Sequence, residues 1–174
     1  LEFQKALYAF CDPYGIRPLI LGKVDECYCF ASETIALQRI GATIIGPVNP
    51  GELIRINDEG LERSQAVEAQ PIRRCLIEAI YFSRPDSLLL TAGKQIAFEI
   101  LRQRAGARLA EELPPWPDAF VQGVPRSGYS VAIGIQNATG LPMGGILLSD
   151  PKAPRTFLER SRALSIQGKF SAIP

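Results

Sequence analysis

The fold is decided by residues 118–148. They read Asp118-Ala119-Phe120-Val121-Gln122-Gly123, then Val124-Pro125-Arg126-Ser127-Gly128, then an apolar run over 129–139 closed by Gly140, then 141–148. The order is strand, Ser/Gly loop, helix, strand. That is a βαβ unit, so the two strands belong to a parallel sheet. Gly140 is a good C-cap because glycine enters the left-handed region without a Cβ penalty. In open α/β sheets the crevice at the end of such a strand is where ligands sit. Backbone N–H groups at the helix start, with the positive end of its dipole, suit a phosphate or pyrophosphate. Ser127 adds a hydroxyl for the anion or for Mg²⁺, and Arg126 adds positive charge. A Ser-Gly cap that binds nothing is the plainer alternative.

Upstream, 93–113 has a helical pattern. Ile96, Ile100, Leu101, Leu109 and Leu113 form a buried stripe, with Arg102, Arg104, Arg108, Glu111 and Glu112 toward solvent. Pro114-Pro115-Trp116-Pro117 stops it. Residues 76–82 are an apolar run of strand length, broken by Ser83-Arg84-Pro85-Asp86-Ser87. Composition shifts over 64–74, and residues 64–71, polar and Ala-rich, read as a connector. Residues 1–64 read as short strands: 6–11, 19–22, 27–31, 52–56 and 61–64. Asp12-Pro13-Tyr14-Gly15 and Asn57-Asp58-Glu59-Gly60 are turns, and Ser32-Glu33-Thr34 caps a short helix. The expected class is therefore mixed, α+β in the first part and α/β in the second. Residues 149–162 are polar and Pro-interrupted, a loop.

Lys and Arg total 19 against 18 Asp and Glu, a net charge of +1, in 174 residues. That offers no broad basic field for nucleic acid or anionic membrane. The chain has no His, which removes imidazole-based dyads and His-ligated zinc. No apolar run approaches the roughly 20 residues needed to span a bilayer, and no signal segment opens the chain. Four Cys are too few for a disulfide scaffold, so reduced thiols in a cytoplasmic setting are expected. Cys27 and Cys29 share one face of a strand and read as small packing residues. A soft-metal site with Cys11 is the alternative and lacks a fourth ligand. Asp12 caps its own turn, Arg17 and Glu33 form a structural ion pair, and Arg84 pairs locally with Asp86.

Several runs taken together resemble a known family. They are Asp12-Pro13-Tyr14-Gly15-Ile16-Arg17-Pro18-Leu19, Ala31-Ser32-Glu33-Thr34, Pro50-Gly51-Glu52, Tyr81-Phe82-Ser83-Arg84-Pro85-Asp86-Ser87, and the Val-Pro-x-Ser-Gly loop. In this order they are similar to the amidophosphoribosyltransferases (glutamine phosphoribosylpyrophosphate amidotransferases). Asparagine synthetases share something like the first two runs, and residues 81–87 argue against them. The resemblance implies the second half of an N-terminal-nucleophile (class II) glutaminase domain over 1–70, connector included. The start of a type I phosphoribosyltransferase domain would follow over 71–174. It implies glutamine and phosphoribosylpyrophosphate as substrates, release of ammonia to the ribose, and 5-phosphoribosylamine as product, at the entry to purine nucleotide synthesis. It also implies a homo-oligomer without nucleic acid or membrane.

By position, Val124, Pro125, Arg126, Ser127 and Gly128 match the pyrophosphate loop, with Ser127 toward Mg²⁺. Arg126 stands where the family carries an acidic residue. Arg155, Thr156 and Phe157 match the flexible loop. Cys75 matches the first iron–sulfur ligand of members with a 4Fe–4S cluster, and cluster-free members also have Cys there. The resemblance places the catalytic Cys before Leu1 and the acidic ribose-phosphate loop after Pro174, so no catalytic residue is assigned in this chain. A diverged, non-catalytic paralogue that keeps the scaffold or binds a nucleotide is the alternative reading. The 174-residue polypeptide alone is accordingly expected to release no glutamate from glutamine and to form no phosphoribosylamine. A coupled glutamate assay checks this, and turnover above the blank overturns it.

Overall fold

The computed structural model describes residues 2–3, 5–91, 93–114, 116–125, 127–150 and 169–173. The chain separates into two compact units, Leu1–Phe98 and Glu99–Pro174. Among the described residues no helix is long and apolar enough to cross a membrane.

The first unit is built on two antiparallel sheets. One contains β1 (Glu2–Phe3), β2 (Ala6–Phe10), β6 (Glu52–Asn57) and β7 (Gly60–Gln65), side by side in that order. The other has β3 (Ile20–Val24) at its centre, flanked by β4 (Cys27–Ala31) and β5 (Thr43–Pro47). Side chains alternate between faces along a strand, and that period sorts the core. Ala9, Cys11 and Ile54 from the first sheet meet Leu21 and Val48 in one buried cluster. The opposite face of the second sheet packs Ile20 against Leu37 of helix α1 (Thr34–Arg39) and Ala42. Asn57 pairs with Gly60 across a two-residue turn, and Asn57 Oδ1 accepts the Glu59 N–H at 3.0 Å. The hairpin expected at 57–60 is present.

Residues 64–74 are no loose connector. Ala66 and Val67 donate to Gly51 O at 3.0 and 3.2 Å, Gln70 to Pro13 O at 2.8 Å and Arg73 to Tyr14 O at 2.9 Å. The segment runs back along the Asp12 turn and satisfies carbonyls there. Residues 76–82, expected as a strand, are helical and end in a π-helical turn, Glu78–Phe82. The Ser83 N–H reaches Glu78 O at 2.9 Å, the five-residue spacing of that turn. Length alone does not separate a short buried strand from a helical turn. A hairpin of β8 (Leu88–Thr91) and β9 (Lys94–Ala97) follows. The expected helix therefore starts five residues late, at Phe98.

Helix α2 (Phe98–Ala110) also presents a different face from the one expected. Ile100 and Leu109 are each 42% exposed, whereas Phe98 and Arg102 are 5% and 2% exposed. The buried row is 98, 102, 106, spaced by four, as one side of a helix requires. Its apolar-looking stripe was read one step around the helix because Gly106 and Arg102 carry no hydrophobic signal. In the second unit α2 packs on α3 (Gly128–Thr139) through two glycines. A Cβ on Gly106 would sit 2.0 Å from Val131 O, and one on Gly134 would sit 1.9 Å from Gln103 O. The helices approach until backbone touches backbone. Glu99 seals the pair, accepting from Gln103 Nε2 at 2.8 Å and from Ser130 Oγ at 2.6 Å.

The expected βαβ unit survives as a single parallel bridge between Val121 and Met143, flanking α3. The Val121 N–H donates to Pro142 O at 2.9 Å and the Gly144 N–H to Val121 O at 2.8 Å. The regular strand is β10 (Leu147–Ser149), which pairs antiparallel with β11 (Phe170–Ala172). α3 ends as anticipated, with Gly140 left-handed at φ 74°.

Gly134→Ala and Gly106→Ala are expected to destabilise the chain by about 1–3 kcal/mol or more, as overpacking does. Gly145→Ala, with nothing within 4 Å of its new methyl, is expected to be neutral or slightly stabilising. Urea midpoints followed by far-UV circular dichroism check the order. Equal midpoints for Gly134→Ala and Gly145→Ala would contradict the close approach.

Candidate functional site

The loop at 124–128 leads from the isolated Val121 bridge into the start of α3, and among the described residues no regular strand precedes it. The Gly128 N–H donates to Val124 O at 3.0 Å, turning the chain directly into α3. Ser127 has helical dihedrals, φ −68° and ψ −25°, and its hydroxyl makes no capping bond. The first turn of α3 carries no acidic side chain. The loop therefore offers an uncommitted hydroxyl beside the positive end of a three-turn helix, the physical requirement for an anion. Gln122 braces the approach, its Oε1 accepting the Ile146 N–H at 3.0 Å and its Nε2 donating to Gly123 O at 2.7 Å. Arg126, and Arg155, Thr156 and Phe157 of the flexible-loop match, lie outside the described residues.

In the first unit, two of the runs quoted above dock onto each other. Glu33 Oε2 accepts the Arg84 N–H at 2.8 Å. Thr34 Oγ1 accepts the Leu88 N–H at 2.7 Å and lies 3.4 Å from Ser87 Oγ, which in turn accepts the Ile35 N–H at 3.3 Å. Thr34 and Ser87 are fully buried. Arg84 spends its side chain on Asp86, with Nε and Nη2 bonded to the two carboxylate oxygens at 3.0 and 2.8 Å. That bond holds the Asp86 carboxyl below its ordinary range. The local Arg84–Asp86 pair is thus present.

The expected Arg17–Glu33 pair is not formed. Glu33 is taken by the Arg84 backbone, and Arg17 Nε pairs with Glu78 Oε2 at 2.9 Å. Arg17 also stacks over Phe82, 5.5 Å from the ring centroid. Glu78 is the residue that the sequence reading missed. Its signal was a lone carboxylate inside an apolar run, a group that burial tolerates only with a partner. Asp12 does cap its turn, through Tyr14 N and Ile16 N, both at 2.9 Å.

The cysteines divide. Cys11 is buried among Ala9, Leu21 and Ile54, and burial raises its thiol pKa, so it is a protonated packing group at neutral pH. Cys29 packs on the other side of the second sheet, against the Ile20–Leu37 cluster, and Cys27 is exposed rather than packed. Cys11 and Cys29 thus face opposite sides and do not converge on a metal. Cys75 is half-buried, with its N–H donating to Ile16 O at 3.1 Å. Among the described residues no three Cys, Asp or Glu side chains gather into a metal site. The first unit also contains a cavity of about 420 Å³ bordered by Arg17, Arg74, Cys75 and Glu78.

No family model matches the chain. Curated proteins named amidophosphoribosyltransferase do. The one from Bacillus subtilis (strain 168) is 41% identical over 189 residues, covering 99% of this chain and 38% of that protein. The one from Synechococcus elongatus is 40% identical over 168 residues, covering 94% and 33%. The Mycobacterium tuberculosis one is 37% identical over 161 residues, covering 92% and 29%. The chain thus spans about a third of the length of these relatives. Among solved structures, the glutamine phosphoribosylpyrophosphate amidotransferase of B. subtilis, complexed with ADP and GMP, superposes with a TM-score of 0.82. It is 39% identical, with 99% of this chain and 37% of that chain covered. A structure described as the allosteric regulatory enzyme of purine biosynthesis gives 0.80 at 39% identity, covering 98% and 36%.

Thr34→Val strands the Leu88 N–H beside a fully buried side chain and is expected to cost about 1–3 kcal/mol. Ser87→Ala strands the weaker Ile35 bond and is expected to cost less. Chemical denaturation of both variants checks the ranking, and a cheaper Thr34→Val would refute it.

Proposed function

We propose that this chain works as part of an amidophosphoribosyltransferase. Residues 1–70 would be glutaminase scaffold of the N-terminal-nucleophile type, and residues 71–174 the first part of a type I phosphoribosyltransferase domain. The observation that carries the reading is similarity to enzymes of that name in sequence and in coordinates, sustained over nearly the whole chain. The reaction would hydrolyse glutamine to glutamate and ammonia. The ammonia would then displace pyrophosphate from C1 of phosphoribosylpyrophosphate, giving 5-phosphoribosylamine for purine nucleotide synthesis. The setting is cytoplasmic, and the assembly a homo-oligomer.

The chain's own contribution to chemistry is the start of α3. Negative charge builds on the leaving pyrophosphate as the C1–O bond breaks. Fixed N–H dipoles aimed at that charge stabilise the transition state without reorganising. Ser127, with a hydroxyl not spent on capping, donates to the same anion or turns a lone pair to Mg²⁺. Mg²⁺ accompanies polyphosphates, held mostly by substrate oxygens and water. Bound there, Mg²⁺ would neutralise part of the pyrophosphate charge. Arg155, Thr156 and Phe157 would close over the substrate.

Pyrophosphate or phosphoribosylpyrophosphate with Mg²⁺ is expected to raise the thermal midpoint of the chain, since a ligand that binds only the folded state stabilises it. Ser127→Ala is expected to weaken that binding by about five- to tenfold. Differential scanning fluorimetry over a ligand series measures both. An unchanged midpoint, or the same shift in Ser127→Ala, removes the pyrophosphate role of the loop and favours the scaffold paralogue.

A further inference from the structure

We propose that the first unit binds a small organic monocarboxylate with an apolar body, in the cavity lined by Arg17 and Arg74. The cavity of about 420 Å³ lies in the range of small-molecule sites. Leu19, Leu89 and Phe98 line it, and Arg17, Arg74 and Glu78 supply its charge.

The charges have an unequal balance. Glu78, whose side chain is 8% exposed, is held by Arg17 Nε at 2.9 Å, and this pair consumes one positive and one negative charge. Among the described residues Arg74 has no carboxylate partner. Its Nη2 donates to Leu90 O at 3.0 Å, leaving Nε and Nη1 without a partner among the described residues. The Arg17 Nη groups likewise have no hydrogen-bond partner among the described residues, Nε making the ion pair and the guanidinium lying over Phe82. The lining therefore carries a net charge of +1 with unused guanidinium donors. A guanidinium offers paired N–H groups that match a carboxylate.

The rest of the lining decides the ligand's body. Leucines and a phenylalanine reward apolar surface and penalise a second charge. A phosphate monoester or free phosphate brings close to two negative charges and little apolar surface, so it matches neither the charge nor the wall. A neutral apolar molecule would leave the guanidinium donors unanswered. A short aliphatic or aromatic monocarboxylate satisfies both halves. The site shares no residue with the Val124–Gly128 loop, so its failure and the failure of the pyrophosphate reading are separable.

The probe is hexanoate against hexanamide, which differ in charge and hardly in shape, titrated onto the 174-residue chain by calorimetry and by ¹H–¹⁵N NMR. Hexanoate is expected to bind saturably with a Kd of about 1 mM or below, and at least about fivefold more tightly than hexanamide. Inorganic phosphate at the same concentration is expected not to displace it. Arg74→Gln is expected to bring the two probes to within about twofold of each other. The proposal is overturned if hexanoate does not saturate, if hexanamide binds as well, or if phosphate competes. Should Arg74→Gln fail to fold, the hexanoate–hexanamide comparison on the unaltered chain decides the matter alone.

Discussion

The hydroxyl of Thr34 is the contact on which the first unit most depends. It lies fully buried at the start of α1 and accepts the Leu88 N–H at 2.7 Å. A buried N–H without an acceptor costs as much as a lost hydrogen bond, so the start of β8 is fixed relative to α1. Leu90, two residues on, therefore joins the cluster formed by Ile20, Leu37 and Ala42. Glu33 holds the preceding turn through the Arg84 N–H. Two polar side chains thereby position the β8–β9 hairpin beside α1.

A similar economy places the segment between the sheets and that hairpin. Gln70, Arg73 and Cys75 lend their N–H groups to the carbonyls of Pro13, Tyr14 and Ile16. Asp12 supplies the acceptors for the turn's own N–H groups. The turn is thus satisfied from within by a carboxylate and from without by a strand-like segment. Arg17 emerges from it at the position where Glu78 waits. The ion pair and the cavity beside it follow from how this turn is held, not from any strong local propensity at Arg17 or Glu78.

The sequence was legible where one residue's chemistry decides the geometry. Asp12, Gly60 and Gly140 act within four positions of themselves, and the turns, hairpin and helix end are where they were expected. Period-based inference failed where packing was carried by residues without hydrophobic signal. α2 buries Phe98, Arg102 and Gly106, and two of those three look like solvent or linker residues. The run at 76–82 was ambiguous because its apolar residues satisfy a strand and a helical turn equally well. The Arg17–Glu33 pairing failed for a different reason. Opposite charges close in sequence order are not thereby close in space, and Glu33 found a backbone N–H instead.

The composition shift at 64–74 and the packing division at Phe98 and Glu99 are therefore both physical, and they differ for a reason. Polar, Ala-rich sequence marks a segment that buries little side-chain surface. It says nothing about where that segment's backbone hydrogen bonds go. Here they go to the Asp12 turn, so the chain crosses 64–74 without leaving the first unit. What ends the unit is the change at Phe98, whose N–H still bonds Ser87 O at 3.0 Å, while Glu99 already bonds Ser130 of α3. Adjacent residues of one helix thus commit to different cores. A boundary inside a helix carries no turn or linker composition, so only the contacts could reveal it.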